Sequence, residues 1–212
     1  EHYVKIGNDD HAAAESVAII TRAGAERVIR YAFEHAVTRN RKKLTLVHKA
    51  NILKLSQGLF LETGRKIAKE YEGRIVFEER IIDAMAMHLV LTPERYDVIV
   101  TTNMFGDILS DEISGLVGGL GLAPGANIGE HAAIFEAVHG TAPDIAGKGI
   151  ANPGAVVLAA CLMLDHVGEP ATADRIRTAM NAVLQSGSAL TADLGGNATT
   201  TGFADAIIAR MD

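Results

Sequence analysis

Three short apolar runs, Leu44-Thr45-Leu46-Val47-His48, Arg74-Ile75-Val76-Phe77-Glu78 and Asp97-Val98-Ile99-Val100, are each followed by a stretch whose apolar residues recur at helical spacing, over 56–71, 81–91 and 107–116. This alternation constrains the fold more than any other feature. Strands that hand over to helices can return to the same sheet in parallel, and the fold expected is α/β with a sheet at least partly parallel. The helix over 81–91 should stop at Thr92-Pro93, because the residue before a proline is pushed out of helical conformation.

The flanks are read the same way. His2-Tyr3-Val4-Lys5-Ile6 is a short strand ending at the turn signal Gly7-Asn8-Asp9-Asp10. Residues 17–37 read as a strand entering a long helix, or as a helix broken near Arg22-Ala23-Gly24. A further strand is expected over 133–138 and helices over 154–167, 171–186 and 202–211. The glycine-dense stretch 118–129 is a connection, and a domain boundary is placed near it.

A chain of 212 residues can bury a proper core as one large domain or two small ones. Its net charge of −6 leaves no electrostatic footprint for nucleic acid or an anionic membrane. The single Cys161 excludes an internal disulfide framework, and a cytoplasmic location is expected. No signal peptide or membrane span is visible.

Three acids stand out. Asp107 and Asp111 lie four residues apart in a helical segment, one turn apart on one face, at the C-terminal end of a strand. Asp83 sits near the start of another helix among apolar residues. Together they make an all-oxygen donor set suited to Mg²⁺ or Mn²⁺; the plainer alternative is that Asp107 and Asp83 cap helices and Asp111 is solvated surface. Lys49 follows a strand, where it could bind an anion or shuttle a proton, or be an ordinary loop lysine; His48 is read as a half-buried strand end. The run Phe135-Glu136-Ala137-Val138-His139-Gly140-Thr141-Ala142-Pro143-Asp144-Ile145-Ala146-Gly147 is rich in small residues that let a ligand approach the backbone. An acid there can accept from the hydroxyls of an adenosine ribose and would repel a 2′-phosphate.

Taken together, the segments Asn103-Met104-Phe105-Gly106-Asp107-Ile108-Leu109-Ser110-Asp111 and His139-Gly140-Thr141-Ala142-Pro143-Asp144-Ile145-Ala146-Gly147 resemble the metal segment and the adenosine-binding loop of the isocitrate/isopropylmalate dehydrogenase family, the β-decarboxylating dehydrogenases of (R)-malate derivatives. The resemblance runs over essentially the whole chain. It implies the family's three-layer α/β/α fold with a mixed sheet. Residues 1–117 would belong to a small domain for dimerisation and metal or substrate binding, and 118–212 to the C-terminal part of a large cofactor-binding domain.

Carried over residue by residue, the resemblance makes Asp83, Asp107 and Asp111 the ligands of Mg²⁺ or Mn²⁺, and Lys49 the catalytic lysine. Asn51 would sit near the nicotinamide. Glu136, His139, Gly140, Thr141, Ala142, Pro143, Asp144 and Ile145 would line the NAD site, and Asn152 would meet the adenine. Lys49 and Asp83 would enter the active site from a partner subunit, which implies a homodimer.

Within the family, His48-Lys49-Ala50-Asn51-Ile52-Leu53-Lys54 and Pro124-Gly125-Ala126-Asn127-Ile128-Gly129 are most similar to NAD-linked isocitrate dehydrogenases of the tricarboxylic acid cycle. Isopropylmalate enzymes more often carry Asp at the position of His48. Homoisocitrate dehydrogenase, isopropylmalate dehydrogenase and a non-catalytic regulatory subunit are the alternatives. The chain begins at Glu1 without Met. A preceding segment is expected to carry the first strands, the substrate loop, several arginines and a catalytic tyrosine, so this stretch alone should not turn over substrate.

Overall fold

The structure, a computed structural model, describes Glu1–Met211. Two compact units divide the chain, Glu1–Leu109 and Ser110–Asp212, with the division inside a helix.

The first unit opens with an antiparallel hairpin of β1 (His2–Ile6) and β2 (Asp9–Glu15). Helix α1 (Arg22–Thr38) follows; Thr21 caps it by accepting from the Gly24 N–H at 3.1 Å, which explains the break expected near Gly24. Then come β3 (Lys43–His48), α2 (Ser56–Ala68) with a 3₁₀ turn at Lys69–Tyr71, β4 (Val76–Ile81), α3 (Ile82–Leu91) and β5 (Val98–Val100). The strands form a parallel three-stranded sheet in the order β4-β3-β5, with Leu44 opposite both Phe77 and Val98. The central strand β3 is buried from Leu44 to His48, as a strand covered on both faces must be.

One core holds this unit together: Ile29, Phe33 and Ala36 of α1, Leu44 and Leu46 of β3, and Phe60 and Ile67 of α2. Phe33 stacks on Tyr71 at 4.5 Å between ring centroids. Helix α2 approaches β3 so closely that a Cβ on Gly64 would lie 2.1 Å from Leu46 Cδ1. That contact accounts for a glycine in mid-helix. Helix α3 packs against β4 and β3; its Met85 and Leu89 are buried, while Met87, Val90 and Leu91 remain exposed. Its capping Thr92 and the following Pro93 end it as the sequence predicts.

Helix α4 (Asn103–Leu116) carries the chain into the second unit. There β6 (Pro124–Ile128) and β7 (Ala133–Ala137) pair antiparallel, Gly125 opposite Glu136. Helix α5 (Gly154–His166) packs on both strands; α6 (Pro170–Ser186) and α7 (Thr200–Ile208) complete the unit around Met180, Val183, Phe203 and Ile207. The architecture is α/β; parallel and antiparallel pairing occur in separate sheets of the described residues. Two strands, β2 and β6, are additions to the elements expected from sequence. No helix among the described residues is long and apolar enough to cross a membrane.

Gly64→Ala is expected to destabilise the chain by about 1–2 kcal/mol, since overpacking against a fully buried Leu46 exceeds the roughly 1 kcal/mol that alanine adds to helix propensity. A lower urea midpoint with an unchanged slope is the expected readout.

Candidate active site

Chemistry in a parallel sheet concentrates at the carboxyl ends of its strands. Lys49 is the first residue beyond β3, and Asp83 lies in the first turn of α3 immediately beyond β4. Parallel pairing sets His48 opposite Ile81 and so brings these two strand exits side by side. The Lys49 ammonium donates directly to Asp83 Oδ2. The lysine side chain is half-buried, whereas the Asp83 side chain is 64% exposed, so the pair opens onto solvent at the carboxylate. An exposed ion pair contributes about 0–1 kcal/mol, too little to account for this arrangement by stability alone.

The backbone around Lys49 is held from several directions. Its N–H donates to Oε1 of the buried Gln57 at 3.4 Å, and its carbonyl accepts from Ile52 and Leu53 at 3.1 and 2.9 Å. The Ala50 N–H donates to His48 Nδ1 at 3.0 Å. Gln57 turns its amide nitrogen to Thr102 Oγ1 at 3.4 Å, and the Thr101 hydroxyl donates to the Val47 carbonyl at 2.9 Å. The loop after β3 is thereby tied to the segment that starts α4. Asn51 is exposed in the turn after Lys49.

Helix α4 begins at Asn103, with the Gly106 N–H donating to the Thr102 carbonyl at 2.9 Å. Asp107 is therefore one turn inside the helix and is not its N-cap, which removes the capping explanation for it. Asp83, likewise, follows the N-cap Ile81 and directs its carboxylate to Lys49. Asp107 and Asp111 are exposed on successive turns of α4. Carboxylate oxygens are the donors that Mg²⁺ and Mn²⁺ prefer, so these side chains fit a hard cation chemically. Among the described residues, no group of three His, Cys, Asp or Glu side chains is assembled within the single chain to hold an ion.

The second unit carries the loop after β7. Glu136 on β7 accepts from Asn127 Nδ2 of β6 at 2.8 Å. His139 Nδ1 lies 3.0 Å from the Gly140 carbonyl oxygen. Ala142 adopts φ 43°, a left-handed conformation uncommon for a residue with a Cβ, and it leads into the 3₁₀ turn Pro143–Ile145. This turn sets the Asp144 carboxylate out in solvent, with Thr141 exposed beside it and Ile145 half-buried beneath. An exposed carboxylate can accept from both hydroxyls of a ribose, which fits a nucleotide lacking a 2′-phosphate. Helix α7 secures the far end of the loop: the Thr200 N–H donates to the Gly149 carbonyl at 2.8 Å and its hydroxyl to the Ala151 carbonyl at 2.5 Å.

Asn152 is buried, and both ends of its amide are engaged internally. Nδ2 donates to Asp193 Oδ2 at 2.9 Å and Oδ1 accepts from the Gly154 N–H at 2.8 Å, bracing the start of α5. The roles of His48, Gln57 and Asp193 escaped sequence reading; a polar Gln57 on the buried side of α2 was the one available signal.

Residues 1–207 match the family described as isocitrate/isopropylmalate dehydrogenase. The chain belongs to that family. Homoisocitrate dehydrogenase of Methanocaldococcus jannaschii is 53% identical over 200 residues, covering 94% of this chain and 56% of that protein. The 3-isopropylmalate dehydrogenase of Archaeoglobus fulgidus is 52% identical over 198 residues, covering 93% of this chain and 60% of that protein. The crystal structure of isocitrate dehydrogenase from Methylococcus capsulatus superposes with a TM-score of 0.94 at 56% identity, covering 99% of this chain and 62% of that one. The chain thus spans less than two thirds of the length of these family members.

Burial lowers the His48 imidazole below its ordinary value of 6.5; Glu79 opposes the shift and Arg65 adds to it. The fold therefore favours neutral His48, while the unfolded chain takes up a proton near 6.5. This contribution to stability is complete above that pH and is lost as pH falls from there through the lowered folded value. Urea midpoints measured across this range should fall with pH, and His48→Asn should flatten the decline.

Proposed function

We propose that the protein containing this chain is an NAD-dependent dehydrogenase that, with Mg²⁺ or Mn²⁺, converts isocitrate to 2-oxoglutarate and CO₂. The observation that carries this reading is the Lys49–Asp83 pair at adjoining strand exits, an ammonium beside a solvent-facing carboxylate. Asp107 and Asp111 of one copy, with Asp83 of a second, would hold the cation. When bound, the cation supplies Lewis acidity toward the hydroxyl and carboxylate of a 2-hydroxy acid, and NAD⁺ supplies the hydride acceptor.

This chain contributes the lysine that moves a proton and the residues that orient the cofactor. Lys49, working through water, moves the substrate's hydroxyl proton. Asn51 approaches the nicotinamide. Glu136 and the loop His139, Gly140, Thr141, Ala142, Pro143, Asp144 and Ile145 orient the adenosine half, with Asp144 accepting from the ribose hydroxyls and excluding a 2′-phosphate. Asn152 meets the adenine.

A homodimer is part of the same proposal. Helix α3 is apolar nearly all round yet leaves Met87, Val90 and Leu91 in solvent, and such a helix is suited to burial. The cytoplasm is the proposed compartment, consistent with a lone buried Cys161. Isocitrate is preferred on the segments His48-Lys49-Ala50-Asn51 and Pro124-Gly125-Ala126-Asn127. Homoisocitrate is the second reading, favoured by the M. jannaschii relative.

NAD⁺ reduction by the full-length protein should proceed with isocitrate, stop in EDTA and return with added Mg²⁺ or Mn²⁺. Undiminished activity in EDTA would sink the metal assignment, and faster turnover of homoisocitrate or isopropylmalate would move the substrate assignment. Replacing Asp144→Lys together with Ile145→Tyr should erode the preference for NAD⁺ over NADP⁺ by about tenfold or more; an unaltered preference refutes the ribose role of Asp144.

A further inference from the structure

We propose that His48 is a positioning residue that holds the Lys49 ammonium in place by closing a side-chain turn over the lysine's own backbone. The Ala50 N–H donates to His48 Nδ1 at 3.0 Å, so the ring spans from residue 48 to the amide two residues on. This is the connectivity of an Asx turn, in which an Asn or Asp oxygen accepts from the amide at i+2. A backbone N–H can only donate, so Nδ1 carries the lone pair and the ring proton resides on Nε2.

Lys49 lies inside that ring. Gln57 takes its N–H at 3.4 Å, and its carbonyl receives Ile52 and Leu53, so the His48 bond fixes the remaining free swing of the peptide between Lys49 and Ala50. The side chain that leaves this pinned backbone is the one that reaches Asp83. His48 is buried at the end of the central strand, and burial also disfavours its protonated form, which would lose the acceptor. Residues Glu79 and Arg65 supply the nearby charges.

The proposal rests on Lys49 handling the substrate proton, as above. It is tested in the full-length protein with His48→Asn, whose oxygen can close the same turn, and His48→Leu, which cannot. His48→Gln, one methylene too long, replaces the leucine variant if that one does not fold. The Asn variant should keep kcat within about threefold, while the Leu or Gln variant loses about tenfold or more with KM for NAD⁺ little altered.

The ¹⁵Nζ resonance of Lys49 should match wild type in His48→Asn and move in His48→Leu or His48→Gln toward its position in Asp83→Asn. Imidazole ¹⁵N shifts should place the wild-type ring proton on Nε2. Equal kcat in all variants, equal loss in all, or a proton on Nδ1 overturns the proposal. If the wild-type protein oxidises none of the three substrates, it is the dehydrogenase reading that fails. The Lys49 ¹⁵Nζ shifts and the ring tautomer then decide the positioning role by themselves.

Discussion

The Lys49–Asp83 part of the candidate site depends on the burial of β3. A strand covered on both faces from Leu44 to His48 has no freedom to tilt or slip, because each side chain is locked into the packing on its own face and a one-residue slip would turn every one of them over. Its parallel neighbours inherit that register. The exits of β3 and β4 are therefore brought level, and the residues placed just beyond them, Lys49 and Asp83, meet without needing any contact of their own to choose the geometry. The ion pair is a product of the sheet.

The parallel core was legible because its signals are local. The strands β3, β4 and β5 are short apolar runs, and the helices between them show their spacing directly. Where the structure departs from expectation, the cause is long-range. β2, with the sequence Asp9-Asp10-His11-Ala12-Ala13-Ala14-Glu15, has no Val, Ile, Thr, Phe, Tyr or Trp and becomes a strand by pairing with β1. β6 is masked by Pro124 and Gly125 and is defined by its ladder with β7. Helix α4 starts at Asn103, ahead of Asp107, and this small shift removes the plain explanation for that acid.

The site was legible as a set of residue types and only partly as an arrangement. Lys49 and Asp83 are far apart in sequence, so that they touch is a property of the sheet. Asn152 carries the opposite lesson. Its side chain is also a structural brace between Asp193 and Gly154, because a buried amide left without partners would be costly. The strained Ala142 could not be read from its identity, since a residue with a Cβ is uncommon at φ 43°.

Gln57 has a consequence for how such a chain can change over generations. One buried amide serves the Lys49 N–H with its oxygen and Thr102 with its nitrogen. A substitution at 57 is felt simultaneously after β3 and ahead of α4, and a change in either loop must respect the same shared group. The lysine segment and the start of the aspartate-bearing helix are therefore mechanically geared to each other. They are expected to drift as a unit, with compensating changes appearing in both or in neither.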